Sequence, residues 1–113
     1  MEALECIKSR RSVRKYKDEQ ISKETIEKII ESAAYAPSWK NTQITRYTIV
    51  ENEEIKAKIA EEAVLGFTFN EKTIKRAPAI AVQSILKGKS GFEPDGSYST
   101  PKKDGWEMFD AGV

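Results

Sequence analysis

The densest group of chemically active side chains lies near the N-terminus, in the sequence SRRSVRK. Three guanidiniums, one ammonium and two hydroxyls fall within residues 9–15. In an extended segment alternate side chains point the same way, so Arg10, Ser12 and Arg14 are expected to share one face. Guanidinium forks match phosphate oxygens bidentately, and a hydrogen bond to a charged group contributes about 1.5–3 kcal/mol. The segment predicts an anion site, best suited to a terminal phosphate, although a solvated basic loop has the same composition.

A second polar group follows in APSWKNTQ, residues 36–43. Pro37 is expected to end a helix here, because proline disfavours helical geometry at the preceding residue and donates no backbone hydrogen bond. Ser38 and Asn41 offer donors and acceptors for a polyhydroxylated chain or the edge of a heteroaromatic ring, and Trp39 offers a stacking surface. The alternative is a helix-to-strand connector with an exposed aromatic side chain.

The chain has no histidine and one cysteine, Cys6. These counts exclude a Ser/His or Cys/His nucleophile–base pair, an internal disulfide and a structural zinc site. We therefore expect no metal site and no catalytic side chain. A bound redox cofactor is the natural source of chemistry, because the protein then only binds, orients and electrostatically tunes it.

Aromatic residues of the second half have two open interpretations. Phe67 and Phe69 are expected to pack in the core, and lining a planar ligand is the alternative. Asn70 beside them is either a ligand contact or a helix cap. Packing on a partner subunit, or on a substrate, is expected of Tyr98, Trp106 and Phe109.

Capping residues and apolar periods predict the scaffold. Ser22 is expected to cap a helix whose buried stripe is formed by Ile26, Ile29, Ile30, Ala33 and Ala34. Asn52 is expected to cap a second helix that ends at Gly66 in the left-handed conformation. The apolar face of this helix is predicted to be Ile55, Ile59, Ala63 and Val64. Short helices are predicted for residues 2–8, for residues 70–76 and from Trp106, the last capped by Asp104.

Two segments predict strands. Residues 46–50 are rich in β-formers. The apolar run APAIAVQSIL, residues 77–86, predicts a strand that is buried on both faces of a sheet. Residues 87–105 lack an apolar period and are expected to form a long loop.

Composition indicates one folded domain over residues 1–113. The chain is 39% hydrophobic and 33% charged, which is typical of globular proteins. Its net charge of +1 provides no global attraction to nucleic acid or anionic lipid. No apolar run approaches the roughly 20 residues of a membrane span. We expect a cytoplasmic protein with no nucleic-acid or membrane partner.

The order of the motifs is specific. SRRSVRKY, APSWKNTQ after an amphipathic helix, FNEKTI, a buried strand and WEMFDAGV together resemble the nitroreductase-like family of FMN-dependent flavoproteins. The resemblance runs through nearly the whole chain. It implies an α+β fold with a central, mostly antiparallel sheet flanked by helices, and a homodimer with FMN at two subunit-interface sites.

The resemblance also implies roles for individual residues. Phosphate and ribityl contacts of the family match Arg10, Ser12 and Arg14, and its basic or polar residue near the flavin ring matches Arg11. Its second flavin-binding loop, usually contributed by the other subunit, matches Pro37, Ser38, Trp39 and Asn41. An amide that reaches the pyrimidine edge of the flavin matches Asn70.

Two departures accompany the resemblance. Gln43, Ile44 and Thr45 stand where many family members have glutamine, proline and tryptophan. Residues 110–113 resemble the start of the family's long central helix, so we expect a domain that is incomplete at its C-terminus.

The implied activity passes electrons from NADH or NADPH through FMN to a nitroaromatic, a quinone or a similar acceptor. One alternative is an FMN-binding fragment or module without turnover. A second alternative is an interaction domain whose basic loop contacts nucleic acid, and the net charge of +1 argues against it.

Overall fold

A computed structural model describes residues 2–113, in which two strands are separated by helices along the chain. In chain order they are α1 (Ala3–Ser9), α2 (Lys23–Ala33), a 3-10 turn (Trp39–Asn41), β1 (Thr45–Val50), α3 (Glu53–Glu62), α4 (Thr68–Arg76), β2 (Ile80–Ile85) and α5 (Gly105–Gly112). Every predicted helix and strand is present, and the predicted α+β class is confirmed. None of the helices in residues 2–113 combines the length and apolar character that crossing a membrane requires.

The chain folds as two compact units. The first unit contains the N-terminal residues up to Glu19 together with Glu51–Pro78, and the second contains Gln20–Val50 together with Ala79–Val113. The interpretation of residues 1–113 as one domain stays a prediction.

The first unit is organised by the packing of α3 against α4. Asn52 caps α3 as predicted, because its side-chain oxygen accepts a hydrogen bond from the Ile55 N–H at 3.0 Å. The predicted apolar face is wrong, since Ile55 is exposed and the buried residues of α3 are Lys56 and Ala60. The Lys56 ammonium, 1% exposed, donates to the Ala77 carbonyl just beyond α4. A cation is favourable at a helix C-terminus, so this contact joins the two helices and selects the buried face.

In the same unit, the helix-cap alternative for Asn70 is excluded, and the predicted core packing of Phe67 and Phe69 is wrong. Helix α4 begins at Thr68, so Asn70 lies in its first turn and does not cap it. Phe67 and Phe69 do not pack in a core, since they are exposed and contact each other with ring centroids 6.0 Å apart. Gly66 adopts the predicted left-handed conformation, with φ of 76°, but α3 itself ends at Glu62.

The second unit contains an antiparallel pair of strands, in which Thr45 lies opposite Ile85 and Val50 opposite Ile80. Burial of the second strand on both faces is a wrong prediction, because residues 81–84 are exposed. The reason is the extent of the sheet, which has two strands in the described residues. Helix α5 packs against β2, and the Gln83 side-chain amide donates to the Ala111 carbonyl at 2.6 Å.

Helix α2 belongs to the same unit. The Ser22 hydroxyl oxygen accepts a hydrogen bond from the Thr25 N–H at 3.2 Å, which confirms the predicted cap. The predicted buried stripe is wrong, because no residue of Lys23–Ala33 is buried and Ile29 is exposed. An apolar stripe shows which face can be covered, and burial also needs a packed neighbour.

The long loop before α5 is folded by turns, with a bridge between Phe92 and Tyr98. Gly91 has a φ of 86°, and a Cβ atom there would overlap the Lys103 carbonyl. Only glycine fits this close approach. Asp104 precedes α5 but makes no side-chain cap, so that prediction is wrong. The buried carboxylates of α5 lie about one and two turns after Asp104, at Glu107 and Asp110.

Candidate functional site

The loop of residues 38–43, which we call the 38–43 loop, has the most unusual backbone of the second unit. Lys40, Asn41 and Gln43 all have left-handed geometry, with φ values of 45°, 54° and 48°. L-residues other than glycine adopt this region rarely, and clusters of such residues occur where the surrounding structure enforces them. The loop therefore needs hydrogen bonds to residues outside it to hold this conformation.

Asp110 of α5 provides the tie at the start of the loop. The Trp39 N–H donates to Oδ1 and Oδ2 of this carboxylate at 3.0 and 3.1 Å. The Ser90 hydroxyl, fully buried, donates to Oδ2 at 2.7 Å. Asp110 is 5% exposed. Its buried charge is stabilised by hydrogen-bond donors from two segments that are distant in sequence.

The side chains of Ser38 and Arg46 fix the end of the loop. The Gln43 N–H donates to the Ser38 hydroxyl oxygen at 2.9 Å, which closes the loop on itself. The Arg46 guanidinium donates to the Gln43 carbonyl at 2.7 Å and to the Thr45 carbonyl at 2.9 Å. Both ends of the left-handed stretch are thus fixed by hydrogen bonds.

Helix α5 buries a second carboxylate one turn before Asp110. Glu107 is 5% exposed and accepts a hydrogen bond from the Gly88 N–H at 2.8 Å. Within residues 2–113 neither carboxylate has a lysine or arginine partner. A buried charge without a counterion depends on its hydrogen-bond donors. The two carboxylates therefore anchor the surrounding loops to α5.

Aromatic side chains flank the loop. Trp39 lies 6.4 Å from Trp106 between ring centroids, and Trp106 meets Phe109 edge to face at 5.8 Å. The Trp106 indole N–H donates to the Thr100 hydroxyl oxygen at 2.8 Å. Tyr98 instead packs on Phe92 at 5.1 Å. Packing of these aromatics on a partner or a substrate stays a prediction.

Lys40 extends over the Trp39 ring, with its ammonium 4.6 Å from the centroid, and pairs with Glu93 at 3.2 Å. The Ser99 hydroxyl and then the Lys40 ammonium hold the pKa of Glu93 below its ordinary value. The Ser99 hydroxyl lies near this carboxylate without completing a hydrogen bond to any residue in 2–113. The side chain that forms an ion pair with Glu93 is therefore Lys40.

A cleft of about 300 Å³ opens beside the 38–43 loop. Apolar and polar side chains of the second unit line it, namely Ile30, Ala33, Ala34, Ala36, Pro37, Ser38, Thr42, Gln43, Thr45, Arg46, Tyr47, Gln83, Asp110 and Val113. Its size and mixed lining suit part of a small organic ligand. Of the predicted binding residues in this unit, Pro37 and Ser38 line the cleft, whereas Trp39 and Asn41 lie on the adjacent loop.

The basic segment, residues 9–15, lies in the first unit and is exposed throughout. Its hydrogen bonds are local: the Arg11 guanidinium donates to the Lys8 and Arg10 carbonyls, and that of Arg14 donates to the Ser12 carbonyl at 3.4 Å. No guanidinium of this segment pairs with a carboxylate in the part of the chain that the structure describes. The three charges are therefore available to an anion.

Asn70 is also in the first unit and is exposed on α4. The predicted site residues thus divide between the two units: Arg10, Arg11, Ser12, Arg14 and Asn70 in the first, and Pro37, Ser38, Trp39 and Asn41 in the second. Residues 2–113 contain no cluster of three or more His, Cys, Asp or Glu side chains that is suited to a metal ion.

Several residues of the cleft were missed by sequence reasoning. Tyr47 and Gln83 form a cross-strand pair, which only the register of β1 and β2 reveals. Asp110 contacts Trp39 across 71 residues of sequence. No signal within α5 identifies this contact, because the donors that satisfy the buried Asp110 carboxylate come from Trp39 and Ser90.

Comparison with protein families settles the relationship. The model of the Nitroreductase family matches residues 7–108, which include the basic segment, the 38–43 loop and the first half of α5. The chain belongs to the nitroreductase family. The resemblance noted from the motifs is confirmed.

Nitroreductase relatives agree in sequence and in fold. A protein of Archaeoglobus fulgidus, provisionally named an NADH dehydrogenase/NAD(P)H nitroreductase, is 41% identical over 81 residues, covering 72% of this chain and 44% of the relative. The crystal structure of a nitroreductase family protein from Clostridium novyi NT has a TM-score of 0.78 and 27% identity, covering 100% of this chain and 59% of that one.

A protein of Exiguobacterium sibiricum 255-15, provisionally described as a nitroreductase, was solved in complex with FMN. It has a TM-score of 0.63 and 34% identity, covering 74% of this chain and 38% of that chain. The chain spans about half the length of the curated relatives it matches.

Proposed function

We propose that this chain is part of an FMN-dependent oxidoreductase that takes electrons from NADH or NADPH and passes them to a nitroaromatic, a quinone or a similar acceptor. The observation that carries the proposal is the family match over residues 7–108. Similar proteins support the cofactor and the donor, since one was solved with FMN and another carries NAD(P)H in its provisional name.

The basic segment fits the phosphate of FMN. Arg10, Ser12 and Arg14 are the proposed phosphate and ribityl contacts. The guanidinium of Arg10 makes no hydrogen bond within residues 2–113, and that of Arg14 makes one long hydrogen bond to a carbonyl. Binding of a phosphate therefore breaks few existing hydrogen bonds. Arg11 uses one nitrogen, Nη1, for both of its backbone contacts and keeps its other donors for the flavin ring.

The 38–43 loop fits a polar, planar ligand for a different reason. Its backbone is already fixed by Asp110, Ser38 and Arg46, so a ligand does not have to order it. We propose that Pro37, Ser38, Trp39 and Asn41 belong to the flavin site, contributed to FMN of the other subunit in a homodimer. Asn70 is the proposed contact to the pyrimidine edge.

FMN, when bound, supplies the redox chemistry by accepting a hydride and later releasing electrons. Side chains of this chain bind and orient it, and none is assigned a catalytic role. We further propose that the protein acts in the cytoplasm. An FMN-binding module without turnover is the second candidate.

The first test is the absorbance spectrum of the purified protein between about 350 and 500 nm, where a bound flavin absorbs. Anaerobic addition of NADH, and separately of NADPH, follows. A flavin band that bleaches with either nucleotide supports the oxidoreductase. A band that both nucleotides leave unchanged supports the module without turnover. Protein that stays colourless when FMN is supplied contradicts both.

A further inference from the structure

We propose that Asp110 is a positioning residue that holds the 38–43 loop in its ligand-binding conformation; this rests on the proposed function of the loop. Asp110 lies on α5, 71 residues from Trp39 in sequence, and the two are joined by hydrogen bonds from one N–H to both carboxylate oxygens. Asp110 touches the loop's backbone and so acts through the loop.

The contact occurs where the loop backbone becomes unusual. Trp39 is followed directly by Lys40 and Asn41 in left-handed geometry. The side chains of these two residues provide no local hydrogen bond that compensates for this geometry within the described part of the chain, and Lys40 pairs with Glu93 instead. The hydrogen bonds from the Trp39 N–H to Asp110 therefore hold the backbone directly before the left-handed pair, beside the Thr42 contacts to the Trp39 carbonyl within the loop.

The burial of Asp110 makes the tie selective. The carboxylate is nine-tenths buried, and its donors in residues 2–113 are the Trp39 N–H and the Ser90 hydroxyl. If the loop left its conformation, the charge would lose one of these two donors while remaining in a desolvated position. The loop conformation that presents the Trp39 N–H is therefore favoured over others.

Glu107 offers a matched control. It has the same 5% exposure on the same helix and also accepts a backbone hydrogen bond, but its donor is Gly88. Glu107→Gln thus perturbs a buried carboxylate of α5 without touching the 38–43 loop. Asp110→Asn keeps the shape of the side chain and removes its charge, which weakens the charge-assisted hydrogen bonds.

The experiment measures FMN dissociation constants in the full-length protein by quenching of flavin fluorescence. Asp110→Asn is expected to raise the dissociation constant about tenfold, because a smaller fraction of molecules has the competent loop. Glu107→Gln is expected to change it less than twofold. Equal binding by Asp110→Asn and the unmodified protein would overturn the proposal.

A second substitution separates positioning from general packing. Lys40→Gly lowers the cost of the left-handed backbone, whereas Lys40→Ala removes the same side chain and keeps that cost. In the Asp110→Asn background we expect Lys40→Gly to recover most of the lost affinity and Lys40→Ala to recover none. Equal effects of the two substitutions, or no recovery by Lys40→Gly, would show that Asp110 acts through overall packing.

Hydrogen exchange of the Trp39 amide keeps this test independent of the cofactor. If the unmodified protein takes up no FMN, the proposed function fails, and the exchange rate still decides the positioning. Asp110→Asn is expected to accelerate exchange at Trp39 at least tenfold relative to Glu107→Gln. Unchanged protection at Trp39 would overturn the positioning role even in a protein that binds FMN.

Discussion

The basic segment and the 38–43 loop carry most of the proposed flavin contacts, and they are held in opposite ways. Arginine side chains of the basic segment donate hydrogen bonds only to carbonyls one to three residues away in sequence. The 38–43 loop is tied to a buried carboxylate on a distant helix and closed by its own Ser38. One region offers free charge on an exposed chain, and the other offers a fixed backbone.

This difference predicts which substitutions change only the affinity for FMN and which also change the free energy of unfolding. Exposed guanidiniums without carboxylate partners contribute little to the folded state, so their substitution acts on ligand binding. A buried carboxylate with two donors contributes to both, because removing it leaves polar groups without partners. Substitutions in the two regions should therefore give different pairs of changes in unfolding free energy and FMN affinity.

The largest stability effect is expected for Asp110→Ala. The substitution leaves the Trp39 N–H and the Ser90 hydroxyl without their acceptor, at about 1–3 kcal/mol for each buried group. We expect the free energy of unfolding to fall by about 2–5 kcal/mol in urea denaturation. Glu107→Ala, which leaves one donor unpaired, should cost about half as much. A loss below about 1 kcal/mol for Asp110→Ala would mean that water replaces the carboxylate.

The largest affinity effect is expected for Arg10→Ala. Loss of one charge-assisted contact to phosphate corresponds to about 1.5–3 kcal/mol, or roughly a 10- to 150-fold higher dissociation constant for FMN. The unfolding free energy should not change measurably, since the Arg10 guanidinium makes no hydrogen bond or ion pair within residues 2–113. Isothermal titration with FMN and urea denaturation measure the two quantities.

Lys17→Ala is the control for Arg10→Ala. Lys17 is another exposed cation, two residues beyond the basic segment, and its removal lowers the local charge equally. If Lys17→Ala weakens FMN binding as much as Arg10→Ala, the effect is general electrostatic attraction and the assigned phosphate contact is wrong.

The contrast between the regions also explains what sequence reasoning could predict. Helix caps at Ser22 and Asn52 were correct because each cap joins residues three apart. The donors of the basic segment are also neighbours in sequence, and its role as an anion site stays a prediction. Local chemistry can be inferred from local residues.

Burial was harder to predict because it depends on distant partners. The apolar periods of α2 and α3 indicated faces that the structure leaves half-buried or exposed. The buried ammonium of Lys56 pairs with the neighbouring Glu53 and also donates to the Ala77 carbonyl, 21 residues away. Asp110 likewise shows its importance only when Trp39 and Ser90 are placed against it. The tie that fixes the 38–43 loop thus could not be found by examining the loop alone.

A smaller effect on both quantities is expected for Ser38→Ala. The change removes the acceptor of the Gln43 N–H, and one hydrogen bond of this kind contributes about 0.5–1.5 kcal/mol. The unfolding free energy should fall by about 1 kcal/mol, and FMN affinity should fall as well. Ser12→Ala in the basic segment provides the comparison, with reduced affinity and unchanged stability. A Ser38→Ala protein of full stability would show that Arg46 alone holds the end of the loop.

The smallest effect is expected for Lys40→Ala, which removes the exposed ion pair with Glu93. The lowered pKa of Glu93 means that its contribution to stability is fully present above the ordinary glutamate pKa, about 4.3, and is lost as the pH falls through the folded value. Any difference in melting temperature between Lys40→Ala and the unmodified protein should therefore be small at neutral pH and should diminish as the pH falls through the folded pKa of Glu93. It should also shrink in high salt, because exposed pairs are screened. A large difference that ignores pH and salt would mean that the stacking of Lys40 on Trp39, and not the ion pair, helps to hold the 38–43 loop.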